Sequence, residues 1–546
     1  MIELAESQIG FCGSSANCWN GVTPQGSVMF IDARQLTETK DILGTIAIIG
    51  GGAAGITLAI ELSEKYNDVL VLESGSTAFE KETQDLYAGN LRGHRQPNLR
   101  TSRLRFLGGT TNHWFGQCAL LDPVDFERLP DRPYSGWPFG IGTLMPFYNR
   151  AYSYCEIDAF NRPAQGGDST EGLGLQPTEF RYSPPTRFGE RYQSQLRSSH
   201  RVKIYLNANV TGIVANDSKQ AIHSLDVQTL NGRQLTVSAA AVVLCCGGIE
   251  NARILLNCTR DFPKGLGNQH DLVGRFFMDH LCAQAGVIVP QVEIYDLGLL
   301  GHHNGATGSM MNSAQTVRQH SRRGCSVIMN TLRDGDEAQI VFTRAPSYRA
   351  FHELMQYAKR GSLGPDFGEH LCTALAEPQA IARALYHRLG ARLRPRAVQA
   401  IEVYLEGEQS PNPASRVTLN DEIDALGMRR AVLDWVIDPL DGSNLYQTAI
   451  DLGRTVGTAG SGRMVLNLEP GDELSKISTC WHHMGTTRMN DDPRQGVVDR
   501  NCAVHGLSNF YIAGSSVFPT GGRANPTITI VALAIRLADH LKLTVK

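Results

Sequence analysis

The sequence predicts an α/β protein in which a discontinuous nucleotide-binding domain is interrupted by a second, mixed-sheet domain. Three observations carry this reading. An apolar run, a glycine-rich turn and an amphipathic stretch follow one another from Ile46 to Lys65. The same strand–glycine–helix order returns far along the chain, from Ala240 to Leu256. At 546 residues the chain exceeds one compact core, so two domains, or one split by the other, are expected.

Residues 1–43 are rich in Gly, Ser and Asn, without a clear period, and read as a leader draped on the first domain. They have no basic start, long apolar run or twin arginine, so no export signal is expected.

The first part of the nucleotide domain, residues 44–120, opens with Ile46-Ala47-Ile48-Ile49, long enough for one buried strand. Gly50-Gly51-Gly52-Ala53-Ala54-Gly55 follows as a G-x-G-x-x-G, and a second apolar run, Val69 to Leu72, ends in Glu73. Gly50 permits the tight turn, Gly52 lets a pyrophosphate approach the backbone, and Gly55 lets helix and strand pack closely. The helix N-terminus offers N–H groups and positive potential to phosphates. Glu73 lies 23 residues past Gly50, where a carboxylate accepts hydrogen bonds from a ribose hydroxyl. A bare glycine-rich turn is weak evidence; set between two strand-like runs with an acid in place, it reads as a Rossmann-type dinucleotide site. The motif does not separate NAD from FAD. Further on, Leu107-Gly108-Gly109-Thr110-Thr111-Asn112-His113-Trp114 is a turn dense in N–H and hydroxyl donors.

Residues 121–199 hold many prolines and glycines and read as covering loops on the substrate side, with a short helix near Leu144–Tyr154. From 200 to 290 strand signals return. Val202–Leu206, Val210–Val214, Ser224–Thr229 and Gln234–Val237 read as an antiparallel meander, followed by a separate buried strand from Ala240. Residues 291–477 read as the substrate-binding domain, with Val417–Leu419 and Ala431–Ile437 as strands of its sheet. Arg383, Arg388, Arg392, Arg394 and Arg396 form a basic, helix-like stretch, read as a solvated face.

Residues 478–546 concentrate the chemistry. Cys480-Trp481-His482-His483-Met484-Gly485-Thr486 is followed by a strand-like Phe510–Ala513 ending at Gly514. Then come Ala524-Asn525-Pro526-Thr527 and an apolar helix, Ile528 to Leu541. Asn525 reads as a helix cap with Pro526 at the first helical position. That helix aims its positive end at whatever lies above Gly514.

Composition narrows the partners. Charged residues make up 19%, hydrophobic ones 42%, and net charge is −3, which does not point to nucleic acid or an anionic membrane. No stretch approaches a membrane span. The twelve cysteines are scattered without a C-x-x-C. They read as free thiols of a reducing cytoplasm, so no metal site is expected and the localisation expected is cytoplasmic.

The Gly50–Gly55 turn, Leu107–Trp114, His482–Thr486 and Ala524–Thr527 occur in that order. This pattern resembles the glucose–methanol–choline (GMC) family of FAD-dependent oxidoreductases from about Thr45 to the C-terminus. The match is weakest between about 291 and 400. The Asn-Pro-Thr ending looks more like the pyranose oxidase, fructose dehydrogenase and cholesterol oxidase branches than glucose oxidase, which places a second histidine where Asn525 stands. The resemblance implies FAD as cofactor and oxidation of an alcohol to ketone or aldehyde, with hydride passing to flavin N5. By carry-over His482 is the base that removes the hydroxyl proton, and Asn525 hydrogen-bonds the same oxygen. A neutral histidine suits that task, its unperturbed pKa being ~6.5. The resemblance also implies FAD contacts at Gly50, Gly52, Ala54, Gly55, Glu73, Gly109, Thr110, Asn112, His113, Val210, Gly514 and Thr527. His113 matches the histidine that some relatives bond covalently to flavin; a non-covalent FAD is the expectation here. Asp279-His280 also looks like a family turn and is read as structural.

A sugar, cyclitol or other polyol is the favoured substrate, with a bulky apolar alcohol as the rival. The electron acceptor is O₂ or a quinone or cytochrome. Two other classes compete: a flavin-retaining lyase without net redox turnover, and an NAD-dependent dehydrogenase.

Overall fold

The computed structural model describes residues 30–36, 41–94, 98–160, 174–184, 186–291, 302–303, 306–319, 321–333, 350–351, 354, 367–376, 378–379, 381–382 and 398–546. The arginine-rich stretch at 383–396 lies outside them.

Parallel pairing dominates the first sheet. Strands β1 (Phe30–Asp32), β7 (Val202–Leu206), β3 (Val69–Leu72), β2 (Asp41–Ile49) and β10 (Gln234–Leu244) lie side by side in that order. β20 (Phe510–Ile512) adds to β10 at Val242–Leu244, also in parallel. Ile46, Ala47, Ile48, Val69, Leu70 and Val243 are fully enclosed, as a sheet covered on both faces requires. β9 (Ile222–Gln228) and β8 (Asn209–Ala215) extend the other half of β10 antiparallel.

Three expectations change here. The leader contributes β1, which pairs with β7, so its last residues have a structural role. Val202–Leu206 is a parallel strand between β1 and β3 and not the start of a meander, because its apolar alternation is buried on both sides. Gln234–Val237 and Ala240–Leu244 form one strand of 11 residues that pairs with β9 early and with β2 along nearly its whole length.

Helix α1 (Ala53–Ser63) follows β2, α2 (Met145–Tyr154) comes from the proline-rich segment, and α3 (Gly247–Asn257) follows β10. The C-terminal α5 (Thr527–Thr544) is tied to α2 by Tyr148 Oη against Thr529 Oγ1 at 2.8 Å, and to the end of α1 through Tyr66 Oη donating to Leu541 O at 2.7 Å. α4 (Pro439–Thr458) begins with Asp438, whose side chain accepts from Leu440 N, and a proline in its first turn.

The second sheet is antiparallel. Its order is β18 (Gly462–Leu466), β11 (Leu281–Pro290), β15 (Val398–Gly407), β14 (Cys325–Arg333), β13 (Ala306–Asn312), β6 (Leu175–Tyr182) and β5 (Gln117–Cys118). β12 (His302–His303) and β19 (Ser478–Thr479) pair at its margins with β13 and β11. The covering segment therefore supplies a strand of this sheet, β6, and the chain crosses into the sheet at Leu281. β16 (Arg416–Ile423) and β17 (Arg429–Trp435) do not join it. They form a separate three-stranded sheet with β4 (Asn90–Gly93).

Candidate active site

One cavity of about 800 Å³ lies between the carboxyl edge of the parallel sheet and one face of the antiparallel sheet. Four parallel strands end on it: β3 at Glu73, β2 at Gly50, β10 at Cys245 and β20 next to Gly514. Ligands bind at this edge of open α/β sheets because the strand-to-helix turns leave backbone N–H groups unpaired there. The N-terminal residues of three helices line the cavity: Ala53 of α1, Gly247 and Gly248 of α3, and Thr527 of α5. Their summed positive potential suits an anionic pyrophosphate and an electron-rich ring.

The glycines divide by task. Gly50 has φ +101°, and a Cβ on Gly55 would stand 1.9 Å from Gly50 O, so these two serve the turn and the packing of α1 on β2. By contrast, a Cβ on Gly52, Gly247 or Gly514 would meet nothing within 4 Å. Those three positions keep clear a floor that side chains would otherwise fill. Glu73 accepts from Gly51 N at 2.7 Å and Gly75 N at 2.8 Å, bracing the turn from below, and burial pushes its carboxyl upward. Gly108 N donates to Gly51 O at 2.8 Å, which joins the two glycine-rich turns. The Gly108–Trp114 turn is locked in turn by Arg187 Nη1, which donates to Thr111 O and Trp114 O at 2.8 and 2.9 Å.

Of the residues expected at the cofactor, Gly50, Gly52, Ala54, Glu73, Gly109, Thr110, His113, Val210, Gly514 and Thr527 line the cavity. Gly55 and Asn112 do not: Gly55 is consumed by close packing, and Asn112 Nδ2 donates to Leu107 O at 3.0 Å to hold its own turn. His113 stacks on Trp481 with centroids 5.5 Å apart, has no hydrogen-bond partner for Nε2, and is held down to about 4 by burial and then by Arg187.

Both expected catalytic residues, His482 and Asn525, line this same cavity. The His482 turn is fixed from several sides. Trp481 sits at φ +62°, a left-handed conformation uncommon for a bulky residue. Gly485 has φ +87°, and a Cβ there would stand 2.1 Å from Phe276 O. Met484 and Met278 exchange backbone hydrogen bonds at 2.9 and 3.1 Å, which sets Asp279-His280 beside His482-His483. Asp279 Oδ1 accepts the backbone N–H of both His280 and His482 at 2.7 Å. Burial raises Asp279 to about 6.

The His482 ring is not free-standing. Its Nδ1 lies 2.8 Å from Nδ1 of His280, whose Nε2 lies 2.9 Å from Gly522 O. Asp279-His280 is thus more than the structural turn expected from sequence; only tertiary contact shows this, since 202 residues separate the two histidines. Burial, His280 and His483 together hold His482 well below the usual histidine range. His483 is held at about 3, mainly by burial, and its Nε2 has no partner.

Asn525 does not cap α5. Pro526 occupies the cap position with αR backbone, there is no side-chain cap, and Asn525 Oδ1 is buried without a partner. The loop before it is anchored by Arg523, which pairs with Asp122 at 2.9 Å and donates to Thr178 Oγ1 at 2.8 Å.

The opposite wall comes from the antiparallel sheet: Gln284 of β11, Asn330 of β14, and Tyr404 and Glu406 of β15. Glu406 Oε2 is buried without a partner, and burial pushes its carboxyl up to about 7. Sequence reading missed this wall, because period-two strands show which residues share a face without showing what that face meets. It also assigned no role to Cys245, Cys246 and Gly247, although the second strand–glycine–helix unit carried the signal.

A nucleotide edge with three converging helix N-termini and an enclosed histidine pair defines a flavin-type oxidoreductase site. Residues 411–534 match the family model for GMC oxidoreductase, a family of FAD enzymes. It is 22% identical to 2-methyl-1,2-propanediol dehydrogenase of Mycolicibacterium austroafricanum, over 91% of this chain and 94% of the relative. It is 24% identical to the fructose dehydrogenase large subunit of Gluconobacter japonicus, over 77% of this chain and 64% of the relative. In fold it is similar to the formate oxidase of Aspergillus oryzae RIB40, with a TM-score of 0.53, 16% identity, and coverage of 93% of this chain and 99% of the other.

The residues present fit FAD: open space over Gly52, Gly247 and Gly514 meets the helix N-termini at one edge. Among the described residues no helix is long and apolar enough to cross a membrane.

Proposed function

We propose that the chain oxidises a CH–OH group of a polyhydroxylated substrate, a sugar, cyclitol or related polyol, to a ketone or aldehyde. FAD, when bound, supplies the two-electron acceptor for the carbinol hydride. His482 takes the hydroxyl proton, and Asn525 donates a hydrogen bond to the same oxygen as negative charge develops on it. The observation that carries this is that His482 and Asn525, 43 residues apart in sequence, both line one cavity. Each brings an uncommitted group. Among the described residues no hydrogen bond engages Asn525 Nδ2, the donor this role needs, or His482 Nε2.

Helix N-termini and the braced Gly50–Gly55 turn would hold the pyrophosphate, with Glu73 below them and Val210 at the nucleoside end. His113 and Trp481 would flank the ring side. The hydroxyl-rich substrate class is supported by the polar wall of Gln284, Asn330, Tyr404 and Glu406. The names of the relatives, a propanediol and a fructose dehydrogenase, agree with a polyol.

The test is anaerobic mixing of purified protein with a panel of polyols, sugars and apolar alcohols, following the visible flavin band. Bleaching by a polyol supports the reading. A flavin left oxidised by every alcohol, in a protein that nonetheless cleaves a hydroxy substrate, would assign it to the lyases. Reoxidation of the bleached enzyme by O₂ or by a quinone then identifies the acceptor.

A further inference from the structure

We propose that His280 is a positioning residue that places the His482 proton on Nδ1, and so leaves the lone pair on Nε2 for substrate. This rests on His482 being the base. The argument is one of proton bookkeeping. Gly522 O is a carbonyl and can only accept, so His280 Nε2, 2.9 Å away, carries a proton. His280 is fully buried beside Arg523, and both hold it neutral, at about 4. A neutral imidazole has one N–H, so His280 Nδ1 carries a lone pair. The 2.8 Å contact between the two Nδ1 atoms needs one proton, which His482 must supply. His482 is also held neutral, so its Nε2 is bare.

The geometry supports a directed bond. The two rings meet edge-on, at 84° with centroids 4.9 Å apart, an arrangement that accommodates an in-plane N–H to lone-pair contact. Asp279 fixes both backbones by accepting their N–H groups. The groups facing the pair are Asp279, His483 and Arg523. Gly522 is three residues before Asn525, so the same chain of hydrogen bonds ties the base to the loop that carries its partner. When His482 takes a proton on Nε2, the bond from Nδ1 to His280 becomes charge-assisted and strengthens.

The experiment is a double-mutant cycle on holoenzyme, read as the anaerobic flavin-reduction rate at saturating substrate. His280→Leu removes the acceptor and is expected to slow reduction about 10- to 100-fold, in line with other partners that orient a functional histidine. His280→Gln, whose Oε1 can accept, is expected to recover most of that loss. In a His482→Ala background, His280→Leu is expected to add nothing, since it acts only through His482. Equal slowing with and without His482, or a glutamine variant as slow as leucine, overturns the proposal. Should His280→Leu lose its flavin, His280→Phe gives an acceptor-free comparison in a ring-shaped side chain. The reading of His482 fails separately, by a near-normal rate in His482→Ala alone, and the proposal then falls with it.

Discussion

Replacing His482 by alanine removes the only proton acceptor assigned to the substrate hydroxyl. The flavin-reduction rate is expected to fall about 10²–10⁴-fold while FAD stays bound. A loss below about tenfold would place the base elsewhere. Asn525→Ala separates chemistry from stability. Its side chain makes no cap, so the melting temperature is expected to hold within a degree or two, whereas loss of a true cap costs about 1 kcal/mol. The reduction rate is expected to fall about 10²-fold, because a donor to the developing alkoxide is gone. pH gives a third test. His482 is neutral well below the usual histidine range, so the saturating reduction rate should show no acid limb near pH ~6.5. Glu406 is held at about 7, protonated below and a carboxylate above. An ionisation near neutrality is therefore expected in kcat/KM, and Glu406→Gln should abolish it. A limb at neutrality in the saturating rate, unchanged in that variant, would contradict this assignment.

At the level of elements, function is set by where strands stop. β2, β3, β10 and β20 end on one edge, and each of the four turns that follow places a glycine over open space or an acid beneath the backbone. Gly52 has extended backbone, φ −81° and ψ −167°, which any residue adopts. Gly52→Val is therefore expected to fold with native circular dichroism yet purify colourless, because its side chain projects where the cofactor must lie. A yellow, fully loaded variant would show that the floor is not the cofactor site. This turn was legible from residue types, since Gly50, Gly55 and Glu73 each answer a local demand of spacing or φ. Asn112 shows the limit: the motif marks it, but its Nδ2 donates to Leu107 O within its own turn. Asn525 shows it again. Asn-Pro-Thr has the composition of a helix start, while the actual cap position falls on Pro526.

At the scale of the molecule, the active site exists only where two sheets face each other. The parallel sheet supplies the nucleotide edge and the antiparallel sheet a polar wall, with the His482 turn and the Asn525 loop between them. The mode of cofactor attachment is a whole-protein property with a simple readout. His113 is stacked on Trp481 and its Nε2 is enclosed. Acid precipitation is therefore expected to release the flavin into the supernatant; a yellow pellet would show a covalent bond. The strands of residues 200–290 illustrate what local pattern misses. β7 looks like a hairpin strand in sequence, yet its partners β1 and β3 lie more than 100 positions away, and β10 adds the equally distant β2 to its hairpin neighbour β9.

From residue order alone, the α/β class, the glycine-rich phosphate turn, the acid after β3 and the two tail segments bearing His482 and Asn525 could be read. Each is a short-range requirement, of strand length, backbone conformation or motif spacing, and short-range requirements are written in adjacent residues. Tertiary structure alone decided that His280 touches His482, that Glu406 and Asn330 face the cavity, and that β16 and β17 stand apart from the second sheet. Those outcomes depend on which distant surfaces share a buried space. The energy of burying them belongs to the pair of surfaces, and no single stretch of chain records it.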